Sequence, residues 1–335
     1  MISRILSFRA TTSLTFGLLL FYCATVAPKV RGADEPAAAQ RTFASPAAAT
    51  NDLVKAARAH DRQALREIFG PELTNILTGD QALDEKHFEK FAADVSERCD
   101  SVPEGNNKVT LEIGAQKWPF PIPLIQTNGA WFFDTIAGEE EIINRHIGHD
   151  EYHAIGVCRI YAKAQRDYAS RFAGSNGDPT YAQHFRSAAG KTDGLYWAET
   201  NNAPSPLSAL VVEAGLEGYS WKSGKGPRPF HGYFFRILTR QGPDAPGGKM
   251  NYVRQGKMTG GFALVAYPVR WGDSGIMTFI VNQDGVVYQR CLGEKTPRIA
   301  AAMKEYNPDS QWTVVQEPGI TDLSEDEPAD DVNMR

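Results

Sequence analysis

Three apolar runs near the C-terminal end of the chain constrain its fold more than any other feature. They are rich in β-branched and aromatic residues and lie at 262–269, 276–281 and 286–289. The break before the third run contains Asp284-Gly285, a dipeptide typical of two-residue hairpin turns. The pattern predicts an antiparallel meander of three strands. In the first strand neither alternating set of side chains is polar, so we expect this strand to be central and covered on both faces.

The first 32 residues have the three parts of a secretory signal peptide. Arg4 and Arg9 give a basic start, an apolar run follows that is too short to cross a bilayer comfortably, and small residues precede Ala33. We therefore expect cleavage near Gly32/Ala33 and a periplasmic or secreted mature protein. Cys23 suggests a lipoprotein as the alternative, but bulky residues stand before it where a lipoprotein signal has small ones.

The charge of the mature chain argues against several classes of partner. The whole chain has a formal charge of −5, and residues 1–32 contain four basic and no acidic residues, so the mature charge is −5 − 4 = −9. Nucleic acid is bound by clustered Lys and Arg, so an acidic chain is a poor candidate for it. No segment after the signal is long and apolar enough to span a membrane stably. We expect the lead-in at 33–42 and the acidic tail at 318–335 to be disordered.

Three cysteines remain after cleavage, namely Cys99, Cys158 and Cys291. In an oxidising compartment this odd number allows at most one bridge among them and leaves at least one thiol. None of them has metal-ligand spacing. The pattern favours small buried hydrophobic residues over a bridge and leaves the pairing open.

The order of the remaining elements predicts an α+β protein with two domains. In residues 43–146, helical patterns, the last at 83–99, precede an alternating strand at 109–113, a proline-stiffened segment at 118–124 and an aromatic strand at 131–134. Helices followed by a curved meander are the order found in small cone-shaped domains. This half resembles the nuclear-transport-factor-two-like superfamily in that order.

Residues 147–317 are predicted to form the second domain. Gly148 is interpreted as the start of a long helix reaching about Phe172, after a short separate helix at 138–145, so the boundary is placed near His146. The long helix is expected to pack on a four-stranded antiparallel sheet, made of the meander and a strand at 230–239. Shorter helices are predicted at 181–185, 207–216 and 296–306.

Several strings carry a resemblance to a known family. They are FASP at 43–46, WPFPIPL at 118–124, WFFDTIAGEEEI at 131–142, YAKAQRDYA at 161–169, KTDGLYW at 191–197, HGYFFRILTRQGPDAPGG at 231–248 and the meander at 260–288. Their order and content resemble the bacterial secreted family catalogued as domain of unknown function 2950. That resemblance implies no reaction. More loosely, the C-terminal half resembles the globular heads of type IV pilins and pseudopilins, in which a helix crosses a small antiparallel sheet.

His146, His149 and His153 form the pattern H-x-x-H-x-x-x-H, with Asp150 and Glu151 between them. On one continuous helix these imidazoles would share a face and can hold zinc or another divalent ion. The alternative is ordinary polarity of a helix surface, which is favoured if Gly148 starts the helix and turns His146 away. The family resemblance also implies arginine or asparagine at the first two histidine positions. No cofactor is therefore predicted, and these three residues stand as candidate metal ligands.

His231, at the start of a predicted strand, is a candidate general base, with Asp193 or Asp284 as the carboxylate that orients it. The alternative is a half-buried, hydrogen-bonded histidine without a catalytic role. A set of aromatic residues is the candidate lining of a binding surface, with core packing as the alternative. These residues are Trp118, Phe120, Trp131, Phe132, Tyr196 and Trp197.

Two hypotheses about function follow from these residues. The first is a non-catalytic extracytoplasmic module that binds an envelope protein or a small ligand. The second is a periplasmic hydrolase or metal-dependent enzyme that uses His231 or the His146/His149/His153 cluster. The sequence contains no complete catalytic set, and the first hypothesis is therefore preferred.

Overall fold

The computed structural model describes residue 37 and residues 40–77, 81–174, 177–197, 204–211 and 229–316. The predicted signal peptide, the acidic tail and residues 212–216 of the predicted helix at 207–216 lie outside the described residues. The predicted disordered lead-in extends too far, because the Gln40 side chain donates hydrogen bonds to the carbonyls of Ile68 and Phe133 at 3.1 and 2.7 Å.

Four helices open the N-terminal half. Ser45 caps the first, its side chain accepting a hydrogen bond from the backbone of Ala48, and a proline occupies the first helical position. Asp61 caps the second in the same way. The helices are α1 (Pro46–Arg58), α2 (Arg62–Phe69), α3 (Leu73–Ile76) and α4 (Gln81–Glu97).

A five-stranded antiparallel sheet follows these helices. Its strands are β1 (Cys99–Pro103), β2 (Lys108–Ile113), β3 (Trp118–Pro119), β4 (Leu124–Thr127) and β5 (Ala130–Phe133), in the order β1-β2-β4-β5 with β3 also paired to β2. The prediction of strands near 109–113 and 131–134 is confirmed. The prediction of a helix running to Cys99 is wrong, because α4 ends at Glu97 and Cys99 begins an edge strand.

One helix, α5 (Thr135–Arg171), runs for 37 residues and joins the two halves. The predicted short helix at 138–145 and the helix start at Gly148 are therefore wrong. Gly148 lies inside α5, and a Cβ atom added there would meet nothing within 4 Å. No neighbouring element therefore packs closely enough against this position to require a glycine. A mid-helix glycine costs only about 1 kcal/mol relative to alanine, which the packing of α5 outweighs.

The sheet of the C-terminal half has five strands rather than the predicted four. It contains β8 (Tyr233–Leu238), β13 (Ala263–Pro268), β14 (Met277–Asn282), β15 (Val287–Cys291) and β16 (Thr313–Val314), in the order β16-β15-β14-β13-β8, and all pairs are antiparallel. The added strand, β16, is a two-residue edge whose side chains are exposed, so no apolar pattern revealed it.

The central strand β13 confirms the prediction made from its side chains. All six of its residues are buried. On one face Phe262, just before the strand, meets Tyr161 of α5 edge to face at 5.6 Å. On the other face Arg236, paired with Val265, donates to the carbonyl of Ala300 in α6 (Thr296–Ala302) at 2.6 Å. A helix thus covers each face of the strand, and α5 packs on this sheet as expected.

Shorter strands and one further helix correction complete the described fold. The predicted helix at 181–185 is wrong, because Tyr181 pairs with Met258 and the next residues form a strand. The predicted closing helix ends at Ala302, before residue 306. The shorter strands are β6 (His184–Arg186), β7 (Gly194–Tyr196), β9 (Arg240–Gln241), β10 (Met250–Asn251), β11 (Val253–Arg254) and β12 (Lys257–Met258).

The described residues contain two separate clusters of buried apolar side chains. One lies between α1, α2, α4 and the first sheet, and the other between α5, α6 and the second sheet. Cys99 and Cys158 are free thiols, so none of the three cysteines considered above bridges to another. Among the described residues, no helix has the length and apolar character needed to cross a membrane.

The turn between β14 and β15 differs from the predicted two-residue hairpin. The backbone N–H of Gly285 donates to the carbonyl of Asn282, and only Gly285 has a positive φ, of 79°. The side-chain oxygen of Asn282 accepts from the backbone of Asp284. An Asx turn followed by a left-handed glycine therefore replaces the turn with two left-handed residues.

We expect Gly285→Val to lower the free energy of unfolding by about 1–2 kcal/mol, because a β-branched residue is strained at positive φ. Gly285→Asn is the matched control, since asparagine tolerates this conformation and should cost less. Denaturant titration of the three proteins measures both differences. Equal losses in the two variants would contradict the assignment of strain to this position.

Candidate metal centre

The middle of α5 carries histidine and acidic side chains on one face. His146, His149 and His153 are spaced by three and four residues, which places them on successive turns of a continuous helix. The Nε2 atoms of His149 and His153 lie 3.1 Å apart. Because α5 continues through Gly148, this glycine does not turn His146 away, contrary to the sequence interpretation.

A tight hairpin brings a fourth histidine to this face. The backbones of Phe230 and Tyr233 exchange hydrogen bonds of 2.9 and 3.0 Å, so His231 and Gly232 form the two-residue turn between them. Both turn residues have positive φ, 41° and 62°, as a type I′ turn requires. Among the described non-glycine residues with positive φ, His231 is the buried one. A strained backbone at a buried histidine is typical of a functional site.

His231 packs directly against the helix histidines. Its ring is stacked on that of His153, with centroids 3.8 Å apart and planes 9° apart, and lies 5.5 Å from the ring of His149. Each of the three residues offers one ring nitrogen within 4.8 Å of the others. His153 and His231 are buried and His149 is partly exposed. We refer to His149, His153 and His231 as the three-histidine cluster.

A buried carboxylate lies beside the three-histidine cluster. Asp150 Oδ1 is 3.7 Å from Nδ1 of His149, and Asp150 Oδ2 is 3.4 Å from Nε2 of His146. Asp150 has no exposed surface, whereas the His146 side chain is one-third exposed. The hairpin closes on this carboxylate, because a Cβ atom added to Gly232 would stand 2.1 Å from Asp150 Oδ2.

Glu151 and Tyr233 fix α5 to the second sheet beside the cluster. Glu151 Oε1 accepts hydrogen bonds of 2.8 Å from the backbone N–H groups of Ile276 and Met277, at the start of β14. The Tyr233 hydroxyl donates to the carbonyl of Met277 at 2.9 Å. Burial, and then the carboxylates of Glu151 and Asp150, raise the pKa of Tyr233 well above its usual value, so this hydroxyl stays protonated and continues to donate.

Three imidazoles are a suitable ligand set for a borderline transition-metal ion. Two nitrogens bound to tetrahedral Zn²⁺ at about 2.0–2.1 Å stand about 3.4 Å from each other. The 3.1 Å between His149 and His153 is close to that value, and it also suits an N–H···N hydrogen bond in the metal-free protein. His231 would have to tilt out of its stack for its lone pair to converge on a shared ion.

The histidines that lie together in the structure are not the three that were grouped from the sequence. His149 and His153 come together as expected of candidate ligands, and His231, predicted separately as a general base, joins them. His146 is not part of the three-histidine cluster and contacts Asp150 instead. No pattern in the sequence indicated this role for Asp150. The signal for the helix pair was the H-x-x-x-H spacing, whereas only tertiary packing brings His231 to it.

The carboxylates proposed to orient His231 are engaged in turns. Asp193 accepts a hydrogen bond from the backbone of Ala188, and Asp284 pairs with Asn282. The carboxylate that packs on the hairpin of His231 is instead Asp150.

The candidate aromatic binding residues do not form one surface. Phe120 and Trp131 are buried in the cluster of the first sheet, against which Trp118 packs. Trp197 is buried in the cluster of the second sheet, against which Tyr196 packs. Phe132 is also fully buried. Trp118 is partly exposed and is covered by the guanidinium of Arg145, 4.9 Å from the ring centroid. A binding role for these residues stays a prediction.

Neither of the free thiols resembles a catalytic nucleophile. Burial raises the pKa of Cys99 to about 11, and burial raises that of Cys158 further. Both thiols are therefore protonated at neutral pH, whereas the reactive form is the thiolate. A cavity of about 540 Å³ between β15 and α6 is lined by Arg290, Met303 and Trp312 among others, and none of the clustered histidines reaches it.

The chain belongs to the family described as "Protein of unknown function (DUF2950)", whose model matches residues 40–315. The match confirms the family resemblance seen in the sequence, and it includes every residue of the three-histidine cluster. No curated protein and no solved structure matches the chain.

Proposed function

We propose that this member of the DUF2950 family is a metal-binding protein that holds one divalent transition-metal ion of the zinc class on His149, His153 and His231. The observation that carries the proposal is the convergence of three ring nitrogens within 4.8 Å from two separate elements. The proposal concerns this chain and not the whole family, since the resemblance implied other residues at the first two histidine positions.

The backbone strain at His231 supports the same conclusion. A type I′ turn favours Asn or Gly at its first position, and this chain instead has a buried histidine there, with a φ of 41°. A non-glycine residue in the left-handed region costs on the order of 1 kcal/mol. Ring stacking on His153 offsets part of this cost, and coordination of an ion gives the strained position a function.

The ligand set also defines the kind of ion. Imidazole nitrogens suit Zn²⁺, Cu²⁺ and Ni²⁺, whereas Mg²⁺ and Ca²⁺ prefer oxygen ligands. Three protein ligands leave one position of a tetrahedral ion for water or a ligand atom. That open position makes a metal-dependent hydrolase the second candidate function, and binding without catalysis is the first.

Metal titration tests the proposal. The full chain is expressed without a polyhistidine tag and freed of metal with a chelator. Isothermal titration calorimetry should then show one Zn²⁺ bound per chain and no binding of Mg²⁺ or Ca²⁺. At a free Zn²⁺ concentration of 100 times Kd, binding should stabilise the fold by about 2.7 kcal/mol. His153→Ala and His231→Asn should each weaken Zn²⁺ binding by more than about 100-fold. Removing a residue that only contacts a metal ligand costs about 10–100-fold in affinity, and removing the ligand itself should cost more.

His60→Gln is the matched control, because His60 is an exposed histidine paired with Glu89 outside the cluster. It should leave the Zn²⁺ affinity unchanged. Absence of a stoichiometric ion in the wild type, or unchanged binding by His153→Ala, would overturn the proposal.

We also propose that the protein acts outside the cytoplasm, after cleavage near Gly32/Ala33, and contacts an envelope protein or small ligand there. The tripartite pattern at residues 1–32 supports this location. The two buried clusters and two sheets support the division into a cone-like N-terminal domain and a pilin-head-like C-terminal domain. The continuous helix α5 joins these units, so the boundary falls within a helix rather than at a linker.

A further inference from the structure

Asp150 lies next to the three-histidine cluster but is not one of its three candidate ligands. It is a carboxylate with no exposed surface, on the helix turn that carries His149 and His153. Its two oxygens face two different imidazoles, His149 at 3.7 Å and His146 at 3.4 Å. A buried carboxylate is costly unless it has charged or hydrogen-bonding partners, and the imidazoles of His149 and His146 are the partners that face this one.

The two nitrogens of His149 face in different directions. Nε2 points to His153, 3.1 Å away, and Nδ1 points to Asp150 Oδ1. A neutral imidazole holds its proton on one nitrogen and a lone pair on the other. A proton on Nδ1 is favoured by the carboxylate, and the lone pair is then on Nε2, where the ion would bind.

The distance between Asp150 and His149 leaves room for this contact to shorten. At 3.7 Å the two atoms are beyond hydrogen-bond range and interact through charge. A small rotation of the imidazole about its side-chain bonds would bring Nδ1–H within range. Metal-bound histidines commonly donate their second N–H to a carboxylate in this way.

The charge of the site points to the same role. Three neutral imidazoles leave the full 2+ charge of an ion in a site where His153 and His231 are buried. Glu151, the next residue along α5, already accepts two backbone hydrogen bonds from β14. Asp150 is therefore the carboxylate placed to balance the charge of the ion from behind its ligand.

We propose that Asp150 is a positioning residue for the metal site, which orients His149, keeps its proton on Nδ1 and balances the charge of the bound ion. This inference rests on the proposed metal-binding function. His146, whose side chain is one-third exposed, contacts the second carboxylate oxygen of Asp150.

Asp150→Asn separates this role from simple packing, because the two side chains have nearly the same shape. The variant should bind Zn²⁺ about 10–100-fold more weakly than wild type, which is the usual effect of losing such a partner. The metal-free variant should be as stable as the metal-free wild type or more stable, since a buried charge is removed. A role in packing alone would leave both the metal-free stability and the Zn²⁺ affinity unchanged, because asparagine preserves the packing.

The tautomer of His149 can be measured directly by NMR. Long-range ¹H–¹⁵N spectra of metal-free wild type should show the His149 proton on Nδ1, and Asp150→Asn should shift that tautomer toward a mixture. His146→Gln is the control for the outer contact and should change the Zn²⁺ affinity by less than Asp150→Asn does.

The outcomes separate the two proposals. If wild type binds no ion, the metal-binding function and the role of Asp150 both fail. If wild type binds one ion and Asp150→Asn binds it equally tightly, only the role of Asp150 fails. A variant with weaker binding, unchanged metal-free stability and an altered His149 tautomer would support the inference.

Discussion

Replacing Gly232 with alanine is expected to lower the free energy of unfolding by about 2–5 kcal/mol. Positive φ at a residue with a Cβ costs about 1–2 kcal/mol, and Gly232 has a φ of 62°. The new methyl group would also stand 2.1 Å from Asp150 Oδ2 and 2.8 Å from the Cβ of Ser274. Relieving such a clash in a packed interior costs typically about 1–3 kcal/mol.

Gly272→Ala is the matched control for this substitution. Gly272 also has a positive φ, of 83°, but a Cβ atom there would meet nothing within 4 Å. This control should therefore show the cost of strain alone, about 1–2 kcal/mol. Denaturant titrations with matched m-values give both losses. Equal losses for the two variants would contradict the close approach of the hairpin to Asp150.

The Gly232 substitution should also weaken metal binding, because the methyl group would displace the Asp150 carboxylate, whose other oxygen faces His149. Gly272→Ala should leave the Zn²⁺ affinity as it is in wild type. The pair therefore reports on the hairpin contact through two independent measurements, stability and affinity.

The meander of the second sheet was predictable because its physical signal is local. A strand buried on both faces must be apolar at every position, and β13 shows that pattern directly. The edge strands β1 and β16 gave no such signal. Most of their side chains are exposed, so the apolar alternation that identifies a strand is missing from them.

The error at Gly148 has a different cause. Glycine often ends or starts helices, and the predicted helix start at Gly148 followed from that tendency. In the structure, the preceding turns of α5 are held by Gly138 packed on Ile122 and by Arg145 donating to the carbonyl of Pro119. The following turns pack on the second sheet. Tertiary contacts on both sides of Gly148 therefore carry the helix through a residue of low helix propensity.

Only part of the candidate site could be predicted from the sequence, for a related reason. The spacing of His149 and His153 is set by the helix period, which a sequence reveals. The approach of His231 depends on a hairpin that docks against α5 through Gly232 and Asp150, and nothing local to His231 indicates its partner. A site assembled from distant segments becomes visible only when the packing of those segments is known.

Replacing Glu151 with alanine is expected to lower the free energy of unfolding by about 3 kcal/mol. One carboxylate oxygen accepts two backbone hydrogen bonds at 2.8 Å, from Ile276 and Met277. Hydrogen bonds to charged groups contribute about 1.5–3 kcal/mol each. Ile276 and Met277 are partly exposed, so water can bond to their backbone N–H groups once the carboxylate is removed. The expected loss is therefore about 1.5 kcal/mol for each of the two bonds, at the lower end of the range.

Glu151→Gln is the matched comparison, because glutamine keeps an acceptor oxygen at the same distance from the backbone and removes only the charge. It should cost about 1 kcal/mol, the usual net contribution of a neutral hydrogen bond. Unfolding by guanidinium chloride, followed by tryptophan fluorescence, measures both losses. If alanine and glutamine have the same effect, the charge rather than the paired acceptor contact holds α5 to β14. If neither variant is destabilised, the turn of α5 that carries His149 and His153 is positioned by apolar packing alone, and the hydrogen bonds of Glu151 are not what holds the candidate metal ligands in place.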